Sequence, residues 1–103
     1  MPYESKFAAL AHPLRQKILT SLGDAPKSVR ELTDDFSLSQ PAISQHLKVL
    51  REAGLIEGQT HGAKNIYAPR PESLGDLRRY IEQHWAAILQ SLDDDEEDTK
   101  DEH

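Results

Sequence analysis

The chain contains no cysteine among its 103 residues. That excludes disulfides, a thiolate metal site and a thiol redox switch. No apolar run approaches the ~20 residues that a membrane-spanning helix needs. The N-terminus carries no signal-peptide pattern, so the expected location is the cytoplasm. Aromatic residues are few: one Trp, three Tyr and two Phe. No Gly-rich phosphate loop, nucleophile elbow or pair of catalytic carboxylates appears. Ser44, His46 and Glu52 fall on one predicted helix, but Ser44 and His46 are two residues apart and face different ways. No enzyme is expected. Internal repeats are absent, and the length fits one domain with a modest core.

A basic excess is also missing, since the formal net charge is −6. The deficit is local. Residues 93–103 (Asp93-Asp94-Asp95-Glu96-Glu97-Asp98-Thr99-Lys100-Asp101-Glu102-His103) hold eight acids and one Lys. The first 92 residues then carry eleven bases and ten acids, a net of +1. A block of like charges usually reads as a solvated tail. The expected division is a folded domain over 1–92 and an acidic disordered tail over 93–103.

The informative stretch runs from Ser28 to Ala68. Ser28 with Glu31 three residues on is a capping box, and Val29, Leu32 and Phe36 follow at helical spacing. Ser37-Leu38-Ser39 interrupts. Ser39 is a second N-cap candidate, and Pro41 sits in a first turn, where its missing N–H costs little. Ile43, Leu47 and Leu50 form one apolar stripe, and Gly54 is a C-terminal stop. Two helices joined by a short turn form a helix-turn-helix.

On the second helix, Pro41, Gln45, Lys48 and Glu52 point away from that stripe, with Gln40, Ser44 and Arg51 on a flank. Near its start this face is polar and uncharged. Gln reads adenine edges, Ser reads either base type, and Ala or Pro can touch a thymine methyl. After Gly54, Leu55-Ile56-Glu57-Gly58-Gln59-Thr60 and Asn65-Ile66-Tyr67-Ala68 read as a hairpin with Lys64 near its tip. A helix-turn-helix followed by a hairpin is a winged helix, whose tip reaches a phosphate or the minor groove. The residues expected to meet DNA are Ser39, Gln40, Pro41, Ala42, Ser44, Gln45, Lys48, Arg51, His61 and Lys64. His46 is read as a half-buried packing residue beside the stripe.

The flanking segments are helical as well. Tyr3, Phe7 and Leu10 mark a short first helix that ends at His12 before Pro13. Pro13 opens a second helix with Leu14, Ile18, Leu19 and Leu22 on its inner face and Gly23 after its end. Pro69-Arg70-Pro71 breaks the last strand, and a long helix runs from Glu72 or Ser73 to about Leu92. Its apolar positions, Leu74, Leu77, Ile81, Trp85, Ile88 and Leu92, form a seam roughly 30 Å long. One small domain does not cover that seam. The expected cover is the same helix of a second copy, with Tyr3, Phe7 and Leu10 of the first helix alongside. The fold class is thus mainly α with a small β-hairpin wing and about five helices, dimerised through the terminal helices.

The run from Ala9-Leu10-Ala11-His12-Pro13-Leu14-Arg15, through Ser39 to Leu50, to Gly54-Leu55-Ile56 resembles the ArsR/SmtB family of bacterial and archaeal winged-helix repressors. The likeness covers roughly residues 5–92. Its most specific part is the spacing of Ser39, Ser44, His46, Leu47 and Leu50. The resemblance implies a homodimeric repressor that binds a double-stranded operator and is released by an effector. Metal-sensing relatives place Cys-x-Cys on the first helix of the helix-turn-helix, where this chain has Thr33 and Asp35. Others bind zinc between the last helices. The nearest match here is Glu82-x-His84 with Asp95 and Asp98, which lacks the second His. No metal site and no cofactor are therefore expected, as in the metal-independent branch, and the effector is unidentified. A winged helix that binds protein instead of DNA, or a MarR-like regulator, are the alternatives.

Overall fold

Every helix after the first begins where the sequence supplies an acceptor for its orphan amides or a proline that has no amide hydrogen to orphan. The computed structural model describes residues 3–101, with the side chains of 88 and of 91–101 outside the description. Helix α1 is Glu4–Leu10 and α2 is Pro13–Asp24; a two-residue strand β1, Lys27–Ser28, leads into α3, Val29–Phe36, and α4, Gln40–Glu52. Strands β2, Ile56–His61, and β3, Lys64–Pro69, form the wing, and α5 is Pro71–Asp101.

The capping box is present in full: the Ser28 N–H donates to Glu31 Oε1 at 3.1 Å, and the Glu31 N–H donates to Ser28 Oγ at 3.2 Å. Ser39 Oγ accepts from the Ala42 N–H at 3.3 Å and starts α4. His12 caps α2 through Nδ1, which accepts from the Leu14 N–H at 3.1 Å. At the far end of α1, Arg15 Nε donates to the Ala9 carbonyl at 2.6 Å and Gln16 Nε2 to the Leu10 carbonyl at 2.6 Å. The first turn of α2 therefore caps the last turn of α1. Helix α4 stops in a Schellman turn: Gly54 has φ +78°, its N–H donates to Arg51 O at 2.9 Å, and the Leu55 N–H donates to Leu50 O at 3.0 Å.

One core unites these elements. Ile18 and Leu22 of α2, Leu32 of α3, Ile43, Leu47 and Leu50 of α4, and Leu55 and Ile56 leading into the wing are all buried in it. The sheet order is β1-β3-β2, antiparallel throughout. Strand β1 pairs Lys27 with Tyr67 and Ser28 with Ile66, so the residue that caps α3 is also a rung of the sheet. Gly58 faces Tyr67, and a Cβ there would lie 2.9 Å from the ring, so the close approach needs glycine.

Several expectations are corrected. Strand β1 makes the wing three-stranded, where the sequence showed a hairpin. Gly23 lies inside α2, which ends at Asp24 with Ala25 as its cap. Helix α5 starts at Pro71, whose fixed φ suits a first helical position, and its backbone continues through Asp101, past the expected end at Leu92. No Gly or Pro after Gly75 supplies a stop. The expected disorder of 93–103 concerns residues whose side chains lie outside the description.

Leu77, read as a dimer contact, is only 5% exposed and belongs to the core of its own chain, because the first turns of α5 lie on the domain. Tyr3, Leu10, Leu74 and Ile81 pack partly against the same core. Further along, the seam opens: Phe7 is 37%, Trp85 52% and Leu89 40% exposed. The side chains of Ile88 and Leu92 lie outside the described residues.

The face of α4 toward α2 carries one titratable contact. The rings of His12 and His46 lie 4.8 Å apart, and His46 Nδ1 is buried without a hydrogen-bond partner. Burial first, then the neighbouring His12 and the Arg15 guanidinium, hold the His46 pKa below its ordinary value. As pH falls, the unfolded chain takes up this proton before the folded one does. The contribution of neutral His46 is therefore complete above about pH 6.5 and is lost as pH falls through the lowered folded value. Thermal melts between pH 7.5 and 5 should show Tm falling across that window, with a shallower fall in His46→Asn. An equal fall in both proteins would remove His46 as the cause.

Candidate nucleic-acid interface

Rotation of α4 is set by its buried side. With Ile43, Leu47 and Leu50 in the core, Gln40, Pro41, Ser44, Gln45, Lys48 and Arg51 are exposed and Ala42 is half-buried. Ser39 is exposed at the cap. His46 is half-buried against α2, away from this face. The exposed side chains near the helix start are short and uncharged, and the basic ones lie further along.

The wing stands beside the start of this helix. His61 pairs with Lys64 across the tip, and both are exposed. Thr60 Oγ1 donates to Asn65 Oδ1 at 3.1 Å and ties the two strands just below the tip. Between wing and helix-turn-helix lies a cleft of about 360 Å3, lined by Val29 and Arg30 at the start of α3, Gln40 at the start of α4, and Lys64 and Asn65 of the wing. The structure thus brings Gln40 and Lys64, far apart in sequence, to one surface.

Arg30 and Asn65 were missed in the sequence. A signal for Arg30 was present, since the capping box at Ser28 fixes it in the first turn of α3, but only the β1–β3 pairing brings that turn to the wing.

Lys27 pairs with Asp35 at 3.1 Å, Arg70 with Glu72 at 3.8 Å, Arg78 with Glu82 at 2.9 Å, and Arg79 with Asp76. Arg30, Lys48, Arg51 and Lys64 form no ion pair within the described residues. The domain is nearly neutral, so a positive surface has to be local, and these four residues supply it on α3, α4 and the wing.

No group of three or more His, Cys, Asp or Glu residues suited to a metal ion occurs among the described residues. His84 meets Tyr80 in a tilted contact with ring centroids 4.4 Å apart, and Tyr80 also meets Tyr3 at 4.5 Å and Phe7 at 5.8 Å. This aromatic group joins α1 to α5 at the edge of the exposed seam.

Residues 12–57 match the family model described as bacterial regulatory protein, arsR family. The chain is 37% identical over 95 residues to the HTH-type transcriptional regulator Rv2034 of Mycobacterium tuberculosis, covering 88% of this chain and 89% of that protein. Its fold is similar to that of an ArsR-like transcriptional regulator from Rhodococcus sp. RHA1, with TM-score 0.76, 33% identity, and coverage of 88% and 86% of the two chains. It is also similar in fold to Mb0332 of Mycobacterium bovis, described as a homodimeric winged helix-turn-helix DNA-binding domain, with TM-score 0.69, 22% identity, and coverage of 79% and 75%. With the capped helix-turn-helix, the wing and these likenesses together, the chain belongs to the ArsR family of bacterial transcriptional regulators.

Proposed function

We propose that this chain is a homodimeric repressor that binds an inverted-repeat operator and leaves it in response to a non-metal signal. The observation that carries the reading is the division of α4. One side is locked into the core, and the other presents Gln40, Ser44 and Gln45 beside cations that have no carboxylate partner. In a major groove, Gln40, Ser44 and Gln45 meet base edges, Pro41 and Ala42 reach thymine methyls, and Lys48 and Arg51 lie toward phosphate. Ser39 sits at the entering end of the helix. His61 and Lys64 extend the contact to the flanking backbone or minor groove.

Dimerisation follows from the half of the seam that the domain leaves open. Phe7, Trp85 and Leu89 present large apolar side chains to solvent along α1 and α5. Full burial of one such side chain is worth about 1.5–3 kcal/mol. A second copy offers the same strip in return, and a two-fold interface is self-complementary. The Mycobacterium bovis neighbour is described as homodimeric, which supports a homodimer here. Thr33 and Asp35 stand where metal-sensing relatives carry thiolates, which supports a signal other than a soft metal ion.

Two measurements test the reading. Gln45→Ala should cost on the order of 1–3 kcal/mol of operator binding and relax the preference at one base position per half-site, read by mobility shifts on operator variants. If affinity and preference both stay unchanged, the groove assignment fails, and a winged helix that binds protein becomes the better account. Trp85→Glu should convert the dimer to monomer in analytical ultracentrifugation and abolish operator binding. A wild-type chain that sediments as a monomer at micromolar concentration contradicts the dimer.

A further inference from the structure

We infer that the cleft between the start of α3 and the wing is a clamp for one DNA backbone phosphodiester, held by Arg30 from the helix-turn-helix side and Lys64 from the wing side. The inference rests on the DNA-binding reading and adds a site and a residue to it. Arg30 and Lys64 line the same cleft of about 360 Å3, and no carboxylate of the described residues lines it. Neither forms an ion pair within the described residues, whereas Lys27, a few residues before Arg30, is taken by Asp35. The polar groups of Gln40 and Asn65 complete the lining. A guanidinium with fixed donor geometry opposite a flexible ammonium suits the tetrahedral oxygens of a phosphodiester.

The two cations are held in register before any ligand arrives. Strand β3 begins at Lys64 and pairs through Ile66 with Ser28. Ser28 in turn caps α3 by exchanging hydrogen bonds with Glu31, which fixes the turn that carries Arg30. Ser28 is therefore a rung of the sheet and the cap of α3 at once, which couples the wing to the turn that carries Arg30. A phosphate seated between them sets how far α4 stands from the groove, without reading any base.

The test uses full-length protein and duplexes at several salt concentrations. Arg30→Gln keeps a good helix former at an exposed position, and circular dichroism melts verify its fold. It should weaken binding to operator and unrelated duplexes alike, by roughly tenfold or more. It should also lower the salt slope by about two units for a dimer. Arg78→Gln, which removes an exposed cation on α5, should leave both unchanged. A scan with uncharged methylphosphonate linkages should find one position per half-site whose neutralisation weakens wild type more than it weakens Arg30→Gln, where only Lys64 is left to meet that phosphate.

An unchanged salt slope in Arg30→Gln beside intact wild-type binding overturns the clamp and leaves the repressor reading standing. A loss confined to one base pair also overturns it, since Arg30 would then read sequence. Wild-type protein that shifts no duplex at any salt concentration overturns both the clamp and the reading beneath it.

Discussion

Burial of Ile43, Leu47 and Leu50 is the constraint on which the rest of the molecule depends. These three side chains share one core with Ile18 and Leu22 of α2 and Leu32 of α3. A helix held on one side by branched apolar side chains cannot rotate without opening cavities, and a Leu-to-Ala vacancy costs about 2–5 kcal/mol. The outward direction of Gln40, Ser44 and Gln45 is therefore a consequence of the core. The caps set the other coordinate. Ser39 fixes where α4 begins, and the Gly54 turn fixes where it stops and sends Leu55 and Ile56 back into the core. Those two residues carry the chain straight into the wing, so α4 and the wing share one foundation.

Charge is arranged on that frame by subtraction. A domain with a net of +1 over residues 1–92 has little long-range pull on a polyanion. Four of its ten carboxylates pair with Lys27, Arg70, Arg78 and Arg79, while Arg30, Lys48, Arg51 and Lys64, around the helix-turn-helix and wing, form no ion pair within the described residues. The eight acids of residues 93–103 follow the apolar stretch of α5 in sequence. Short-range contact thus takes the place of bulk attraction, in keeping with a face whose leading residues are Gln and Ser.

The features legible in the sequence were the local ones. Ser28 with Glu31, Ser39 with Pro41, and Gly54 after the last apolar position each announce a helix end within four residues, and each is found in place. The exposed face of α4 followed from the same periodicity. Strand β1 was not legible, because two residues carry no period and their partners, Ile66 and Tyr67, lie far along the chain. Arg30 was hidden for the same reason: its neighbour across the cleft is supplied by that pairing. Leu77 shows a different limit. Spacing of three and four marks an apolar stripe but does not say whether its own domain or a second copy covers it, and Leu77 goes to the core while Trp85 stays open. The apolar periodicity of α5 stops at Leu92, but its backbone runs on to Asp101, since neither Gly nor Pro interrupts it.

The central claim is that two copies of this domain present two α4 helices to one duplex. Selection of binding sites from random duplexes with the purified protein tests it most directly. The account predicts enrichment of an inverted repeat whose half-sites lie about one helical turn, ~10–10.5 base pairs, or a multiple of it apart. Recovery of no enriched sequence, or of a single motif without two-fold symmetry, would contradict it.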